Sequence, residues 1–473
     1  MGKTDIGLIG LAVMGQNLVL NIERNGFTVS VYNRTSEKTQ EFINEKCNNK
    51  NIIPFYSLKD FVESLSKPRK IILMVKAGKP VDDIINGLLP FLEKGDILLD
   101  CGNSYFKDTE RRYSELKEKG IYFIGCGISG GEYGALYGPS IMPGGDYDTW
   151  LKTENILLKI SAKSDDGPCC SYIGKTSSGH FVKMVHNGIE YAIMQIIAEI
   201  YDIINQCLKM KNNDIQKIFE KWNTGKLNSY LIEITSEIFK KIDAETGKSL
   251  VDVILDKAEQ KGTGKWTSQV SFDLGVPVPT ITNAVEARII SGYKDYRIKI
   301  SENKKSENKL DIKNKKIFIK KLENACYAAI LITYSQGMHL LKVASDNFGY
   351  GLNLSEISRI WKGGCIIRSK ILDFLKNIYI ENSDIPHLFF SELFMKNLEK
   401  NIKDLREIIC VIKKKQIPLL CISSALDYYD SFTRARLPAN LIQAQRDYFG
   451  AHTYERIDKD GIFHTKWSEE IES

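Results

Sequence analysis

Lys183, His186, Asn187, Glu190 and Tyr191 are the residues of this sequence whose types and spacing could do chemistry. They stand in HFVKMVHNGIEY, His180 to Tyr191, which continues as AIMQIIAEIYDII. Positions i, i+3, i+4, i+7 and i+8 share one face of a helix with about 3.6 residues per turn, so an amine, an imidazole, a carboxamide, a carboxyl and a phenol form one stripe. Phe181, Val182, Met184, Val185, Ile189, Ile193, Ile196, Ile197 and Ile200 cover so much of the remaining circumference that little of this helix faces water. An unpaired charge in such a place must meet partners or have its pKa moved. On the stripe alone two readings stay open: a solvated face or internal salt-bridge network, and an acid/base constellation lining a cleft.

A cleft requires elements that hold a second molecule against the stripe, and the N-terminus supplies them. In TDIGLIGLAVMGQNLVLNIERNGFTVSVYNRT the apolar run Ile6 to Ile9 leads into a turn, then an amphipathic helix that stops near Asn25-Gly26, then the strand Thr28 to Tyr32. This is a βαβ unit, and its turn, Gly10-Leu11-Ala12-Val13-Met14-Gly15, is a G-x-A-x-x-G variant of the dinucleotide fingerprint. Gly10 permits the tight turn, the small Ala12 lets backbone approach a pyrophosphate, and Gly15 lets helix and strand pack closely, with the helix N-terminus toward the anion. The second strand ends in Asn33-Arg34-Thr35. An acidic residue there would select a ribose hydroxyl, whereas the guanidinium of Arg34 and the hydroxyl of Thr35 suit a 2′-phosphate, so the cofactor expected is NADP.

Further strands are expected at Lys70 to Val75, Ile97 to Asp100 and Ile121 to Gly125. They end in the turns Val75-Lys76-Ala77-Gly78, Cys101-Gly102-Asn103-Ser104 and Ile128-Ser129-Gly130-Gly131. In an open parallel sheet these turns lie along one edge and line one crevice. A glycine- and proline-rich stretch, Gly134 to Gly145, and one more βα-like segment to about Tyr172 follow. From Ser177 the pattern turns helical, with expected helices at Leu250 to Lys261, Ile317 to Ala344 and Leu354 to Lys376, and beyond Leu437 it reads as an irregular polar tail. The fold class is therefore an α/β N-terminal domain with a Rossmann-like doubly wound sheet, a large all-α domain and a tail. The expected boundaries are 1–177, 178–435 and 436–473.

With 43% hydrophobic and 26% charged residues, the 473-residue chain has the composition of a globular protein of two or three domains. A net charge of +6 suits anionic small molecules and is too small for a dedicated nucleic-acid binder. The run SENKKSENKLDIKNKK, 301–316, reads as a solvated loop or helix face. No apolar run is long enough to span a bilayer, there is no cleavable hydrophobic N-terminal segment, and the ten cysteines show no CxxC pair, so a cytoplasmic protein with reduced thiols is expected. Cys365 reads as a packed thiol. No His, Cys or acidic spacing holds a metal, so metal-independent chemistry is expected.

The motifs GLAVMGQNL, NRT, LDCGNS, ISGGEYGALYGPSIMPGG, HFVKMVHNGIEY, KGTGKW, IWKGGCIIRS and QRDYFGAHTYER, spread from one end of the chain to the other, resemble the decarboxylating 6-phosphogluconate dehydrogenase family. The looser superfamily of β-hydroxyacid dehydrogenases shares the fingerprint, the Ser-Gly-Gly turn and the helix Lys and Asn, but is not expected to carry KGTGKW or the C-terminal Arg and His. Tyr133, where the family tends to be acidic, is a minor departure.

The resemblance implies oxidation of 6-phosphogluconate by NADP, loss of carbon dioxide and formation of ribulose 5-phosphate. It implies Lys183 as the base and Glu190 as the acid that protonates C1. A pKa drop of about three units for Lys183 corresponds to roughly 4 kcal/mol of environmental bias. By the same resemblance His186 and Asn187 orient the sugar hydroxyls, Asn103 bridges nicotinamide and substrate, and Ser129, Gly130 and Gly131 hold the carboxylate end. Tyr191, Lys261, Thr263, Arg288 and Arg446 take the phosphate, although Lys261 and Arg288 read alone are equally surface charges. Arg446 and His452 lie in a tail that, in the family, completes the neighbouring subunit's site, which implies a homodimer. An NADP-binding sensor or an RNA-associated protein is the reading from a different class, and Lys183 with Glu190 speaks against a retired enzyme.

Overall fold

The strands that build the cofactor crevice are short and apolar on both faces, as strands covered by helices must be. In the computed structural model, which describes residues 3–48, 50–302, 304 and 310–467, they are β1 (Ile6–Ile9), β2 (Val29–Tyr32), β3 (Ile52–Phe55), β4 (Lys70–Leu73), β5 (Ile97–Asp100), β6 (Tyr122–Ile128) and β7 (Ile141–Gly144). All four residues of β1 and of β5 are buried. The sheet order is β3-β2-β1-β4-β5-β6-β7, parallel except for the antiparallel pairing of β6 with β7. Because β1 lies between β2 and β4, the connections leave it on opposite sides, and a crevice opens there at the carboxyl ends of the strands.

Two glycines are required at that crevice. Gly10 has φ +105°, and a Cβ on it would lie 2.4 Å from the Met74 carbonyl oxygen. A Cβ on Gly15 would lie 1.9 Å from the Gly10 carbonyl oxygen, which is backbone and cannot yield. The helix that follows, α1 (Val13–Arg24), has no side-chain cap at Ala12 and no acidic residue in its first turn, so its leading N–H groups remain available to an anion.

The remaining long helices relevant to the site are α2 (Ser178–Asp202), α3 (Thr263–Asp273), α4 (Pro279–Gly292) and α5 (Lys315–Phe348). The chain divides into two compact units, Met1–Ala425 and Leu426–Ser473. The second contains α6 (Ala439–Gly450) and a two-residue antiparallel pairing of Tyr454–Glu455 with Ile462–Phe463.

Several sequence expectations are corrected. The helix expected at Leu250 to Lys261 is one 3-10 turn, Leu250–Asp252, followed by irregular chain, because Ile254 and Leu255 are each 61% exposed and no apolar face is buried to sustain a helix. The helix expected at Leu354 to Lys376 is two, Leu354–Ile360 and Ile371–Glu381, interrupted where Gly364 takes φ +64°. The tail expected to be irregular contains α6. Strands β3 and β7 escape the periodicity: β3 is a half-buried edge strand carrying Pro54, and β7 lies inside the glycine- and proline-rich stretch. Of the run 301–316, residues 303 and 305–309 lie outside the described residues, and Lys315 and Lys316 open α5. Among the described residues no helix is long and apolar enough to cross a membrane. All ten cysteines are free.

Gly15→Ala tests the crevice. The added methyl can only be accommodated by moving backbone, so stability should fall by about 1–3 kcal/mol in denaturant titration, with loss of dinucleotide binding in calorimetry.

Candidate active site

Helix α2 carries the stripe, and glycines let its first turns lie directly on the sheet. A Cβ on Gly179 would come within 2.2 Å of the Gly125 and Met142 carbonyl oxygens, and one on Gly127 of β6 within 2.5 Å of Lys183 Cβ. The lysine stem therefore runs over bare sheet backbone. Lys183 is 5% exposed. Burial pulls its pKa below the usual lysine range, while the charge of Glu190 pulls the other way. Glu190 shows the complementary shift: burial raises its pKa, opposed by the charges of Lys183 and Arg288. Both groups are thus biased toward neutral forms, the state in which an amine accepts a proton and a carboxyl gives one.

A chain of neutral hydrogen bonds crosses the helix beside this pair. His186 is fully buried, and desolvation, then the Lys183 charge, lowers its pKa well below the usual value. A neutral ring that donates from Nδ1 to Asn187 Oδ1 (3.1 Å) accepts at Nε2 from Ser129 Oγ (3.3 Å), a tautomer assigned from this network. Asn187 Nδ2 in turn donates to Thr263 Oγ1 at 3.1 Å. The turn after β6, the stripe and the start of α3 are joined. Gly130 has φ +113°, and a Cβ there would meet the Gly364 carbonyl oxygen at 2.5 Å, so the Ser129-Gly130-Gly131 turn is pressed against backbone.

A cationic group collects at the far end of the stripe. The Arg288 guanidinium of α4 lies 3.4 Å from the Tyr191 ring centroid, and its Nη1 donates to the Glu259 carbonyl at 3.0 Å. The Lys261 amide donates to the Tyr191 hydroxyl at 3.4 Å. Gly264 is needed because a Cβ there would lie 2.6 Å from that ring. Tyr191, Lys261, Thr263 and Arg288 are thereby gathered at one place.

On the sheet side the fingerprint loop is tied to the end of β2: the Leu11 amide donates to Asn33 Oδ1 at 3.0 Å, and Asn33 Nδ2 donates to the Thr35 carbonyl at 3.0 Å. Ala12, Val13, Arg34, Thr35 and Lys76 are exposed, while Met14, Val75 and Ala77 are half-buried. Among the described residues Arg34 has no intramolecular partner and is free for a ligand. A Cβ on Gly10 would touch Val75 Cγ1 at 3.0 Å and one on Gly102 the Val75 carbonyl oxygen at 3.0 Å, so three turns adjoin. Asp100 accepts from the Gly102 amide (3.1 Å) and Ser104 Oγ (2.6 Å), which fixes the turn presenting the exposed Asn103. The cradle that extra methyls would fill and the uncapped start of α1 fit a dinucleotide pyrophosphate, and Arg34 fits a further phosphate.

Arg446 and His452 belong to the second unit, Leu426–Ser473. Trp361 and Gly127, which the sequence did not single out, also build the site, together with Cys365, expected there only as a packed thiol. The Trp361 ring packs edge-on to His186 at 5.3 Å between centroids, and the Cys365 thiol donates to the Trp361 carbonyl at 3.0 Å, with burial pushing its pKa up to about 12. The only signals for Trp361 and Gly127 were the unusual IWKGGC run and a glycine inside a strand. Among the described residues no group of three or more His, Cys, Asp or Glu side chains could hold a metal ion.

A phosphate cradle at the switch point of a doubly wound sheet, with a buried amine and a half-buried carboxyl on the helix packed against that sheet, defines a nicotinamide-dinucleotide-dependent dehydrogenase. Residues 5–174 match the NAD binding domain of 6-phosphogluconate dehydrogenase, and residues 179–467 match the 6-phosphogluconate dehydrogenase C-terminal domain. The NADP(+)-dependent, decarboxylating 6-phosphogluconate dehydrogenase of Bacillus subtilis is 53% identical over 468 residues, 99% of this chain and 100% of that protein. The NAD(+)-dependent, decarboxylating enzyme of the same organism is 49% identical, over 98% of this chain and 99% of its own length. The solved Plasmodium falciparum 6-phosphogluconate dehydrogenase, described in its apo form and in complex with NADP+ and with 6-phosphogluconate, superposes with a TM-score of 0.95 at 46% identity, covering 98% of this chain and 100% of that one. The chain belongs to the 6-phosphogluconate dehydrogenase family.

Gly127→Ala should push the Lys183 stem aside without touching the cofactor cradle. Turnover should fall by about 100-fold, as for a misplacement of roughly 1 Å, with dinucleotide affinity unchanged in a fluorescence titration.

Proposed function

We propose that this chain oxidises the 3-hydroxyl of 6-phosphogluconate with NADP as acceptor and decarboxylates the product to ribulose 5-phosphate. The observation that carries the reading is the buried Lys183 amine on the face it shares with Glu190, each with its pKa pushed by burial toward the neutral form. The family membership, the glycine cradle and the unpaired Arg34 support NADP as cofactor, held by Gly10 to Gly15, Asn33 to Thr35, Val75 to Ala77 and Asn103.

NADP, when bound, supplies the hydride acceptor. Neutral Lys183 takes the 3-hydroxyl proton as the C3 hydrogen leaves with its electron pair, so a β-keto acid and an ammonium result. The Lys183 ammonium then donates a hydrogen bond to the new carbonyl, which accepts electron density as the bond to the carboxylate breaks and carbon dioxide departs. Glu190 gives its proton to C1 of the resulting enediolate, whose oxyanion becomes the ketone of ribulose 5-phosphate. His186 and Asn187 orient the hydroxyls, Ser129, Gly130 and Gly131 hold the carboxylate end, and Tyr191, Lys261, Thr263 and Arg288 take the phosphate.

Arg446 and His452 complete the phosphate end from the tail of a second subunit, so the working form is a homodimer. Exposed apolar side chains support an assembly in both units, including Phe272 at 75% in the first and Phe449 at 72% in the second.

Lys183→Met should lower the rate of NADPH formation at 340 nm by roughly 10²–10⁴-fold, the range for loss of a general base, with NADP affinity retained; undiminished turnover would sink the scheme. Arg34→Ala should raise KM for NADP far more than KM for NAD, as measured side by side. The pH profile should be bell-shaped, because Lys183 must be deprotonated and Glu190 protonated. In Glu190→Gln only the lysine requirement remains, so the residual kcat should be lower by roughly 10²-fold and should rise with pH without an alkaline fall.

A further inference from the structure

Between residues 431 and 467 the only buried residue is Asp447, an acid on α6. A carboxylate is an improbable choice for the interior of a small unit unless donors replace the water it loses, and here both oxygens are fully engaged. Oδ1 accepts from the Thr453 amide (2.9 Å) and pairs with His464 Nδ1 (2.8 Å). Oδ2 accepts from the Thr465 amide (3.0 Å) and Trp467 Nε1 (2.8 Å). One side chain thus ties the helix to the turn that follows it and to the returning segment beyond Ile462–Phe463.

That turn is in an unfavourable conformation. Ala451 and Thr453 have φ +48° and +62°, a region that side chains other than glycine adopt only when surrounding contacts impose it. His452 stands between them. The contacts that impose the turn come largely from one residue: the Ala451 amide donates to the Asp447 carbonyl at 2.9 Å, and the Thr453 amide to its carboxylate, while Gln443 Nε2 holds the Thr453 carbonyl at 2.6 Å. Arg446 directly precedes Asp447 on the helix and donates from Nη1 to Gln443 Oε1 at 3.1 Å, so the side chain that braces the turn also meets the guanidinium.

We infer that Asp447 is a positioning residue for the reaction: its carboxylate sets the spacing and orientation of Arg446 and His452, the two tail groups that meet the phosphate end of the substrate. The inference rests on the proposed function for the role of those two groups and adds the element that arranges them. It touches neither substrate nor cofactor, and it acts by removing the alternative conformations of the 451–453 turn before substrate arrives.

The test uses the full-length enzyme. In Asp447→Asn one acceptor oxygen becomes an NH2 that faces donors, so KM for 6-phosphogluconate should rise by roughly 10–100-fold while the Kd for NADP and the dimer mass by light scattering stay as in the unaltered enzyme. Trp467→Phe, which removes one of the four donors and keeps an aromatic side chain, should raise the same KM by a smaller factor. Arg446→Ala and His452→Ala are measured beside them. If those two raise KM and Asp447→Asn does not, the inference is overturned; if those two leave KM unchanged, the substrate role of the tail is what fails. A loss of NADP affinity or of the dimer in both Asp447→Asn and Trp467→Phe would make Asp447 a stabilising residue only and would also overturn the inference.

Discussion

A lysine loses the hydration of its ammonium when its side chain is laid between a helix and a sheet, and the proposed chemistry depends on that loss at Lys183. The cause is steric before it is electrostatic. Gly125 and Gly127 on β6 and Gly179 on α2 remove the side chains that would hold helix and sheet apart, so Lys183 lies buried between them. Desolvation then outweighs the opposing influence of Glu190 on the lysine, and of Lys183 and Arg288 on the glutamate. A few missing methyl groups thereby become a bias in proton affinity.

The same close approach joins two halves of the site. The strands end along one edge, and α2 begins against β6 and β7 of the same sheet. Charge is divided along the helix. The amine and carboxyl are desolvated, the neutral chain from Ser129 through His186 and Asn187 to Thr263 fixes orientation, and the guanidinium of Arg288 lies over Tyr191. Cys365, close to the lysine, stays a thiol because burial raises its pKa, so it does not compete for the proton.

How far this could be read beforehand differed from element to element. The apolar runs of β1, β4 and β5 and the fingerprint after β1 were legible because a fully covered parallel strand and a phosphate-binding turn each have a local pattern. Edge strand β3, with a proline, and β7, with Pro143 and Gly144, have no such pattern; pairing alone makes them strands. The segment Leu250 to Lys261 has helical spacing but no surface to bury it against, and it came out irregular. The stripe on α2 was legible as a face. Its contact with Trp361 and Gly127 was not, because both lie far from it in sequence.

The amino-acid order by itself determined the local chemistry: a glycine turn able to approach phosphate, a cation where a 2′-phosphate would sit, and five polar groups on one side of a greasy helix. Periodicity and residue type act over a few turns of chain, and these features are that short. The tertiary structure alone decided that the stem of Lys183 lies buried over Gly127, that His186 links Ser129 to Asn187, and that Arg288 reaches Tyr191 from a helix nearly a hundred residues on. Proton affinity depends on how much water packing removes, and that is set by segments distant in sequence meeting at van der Waals distance.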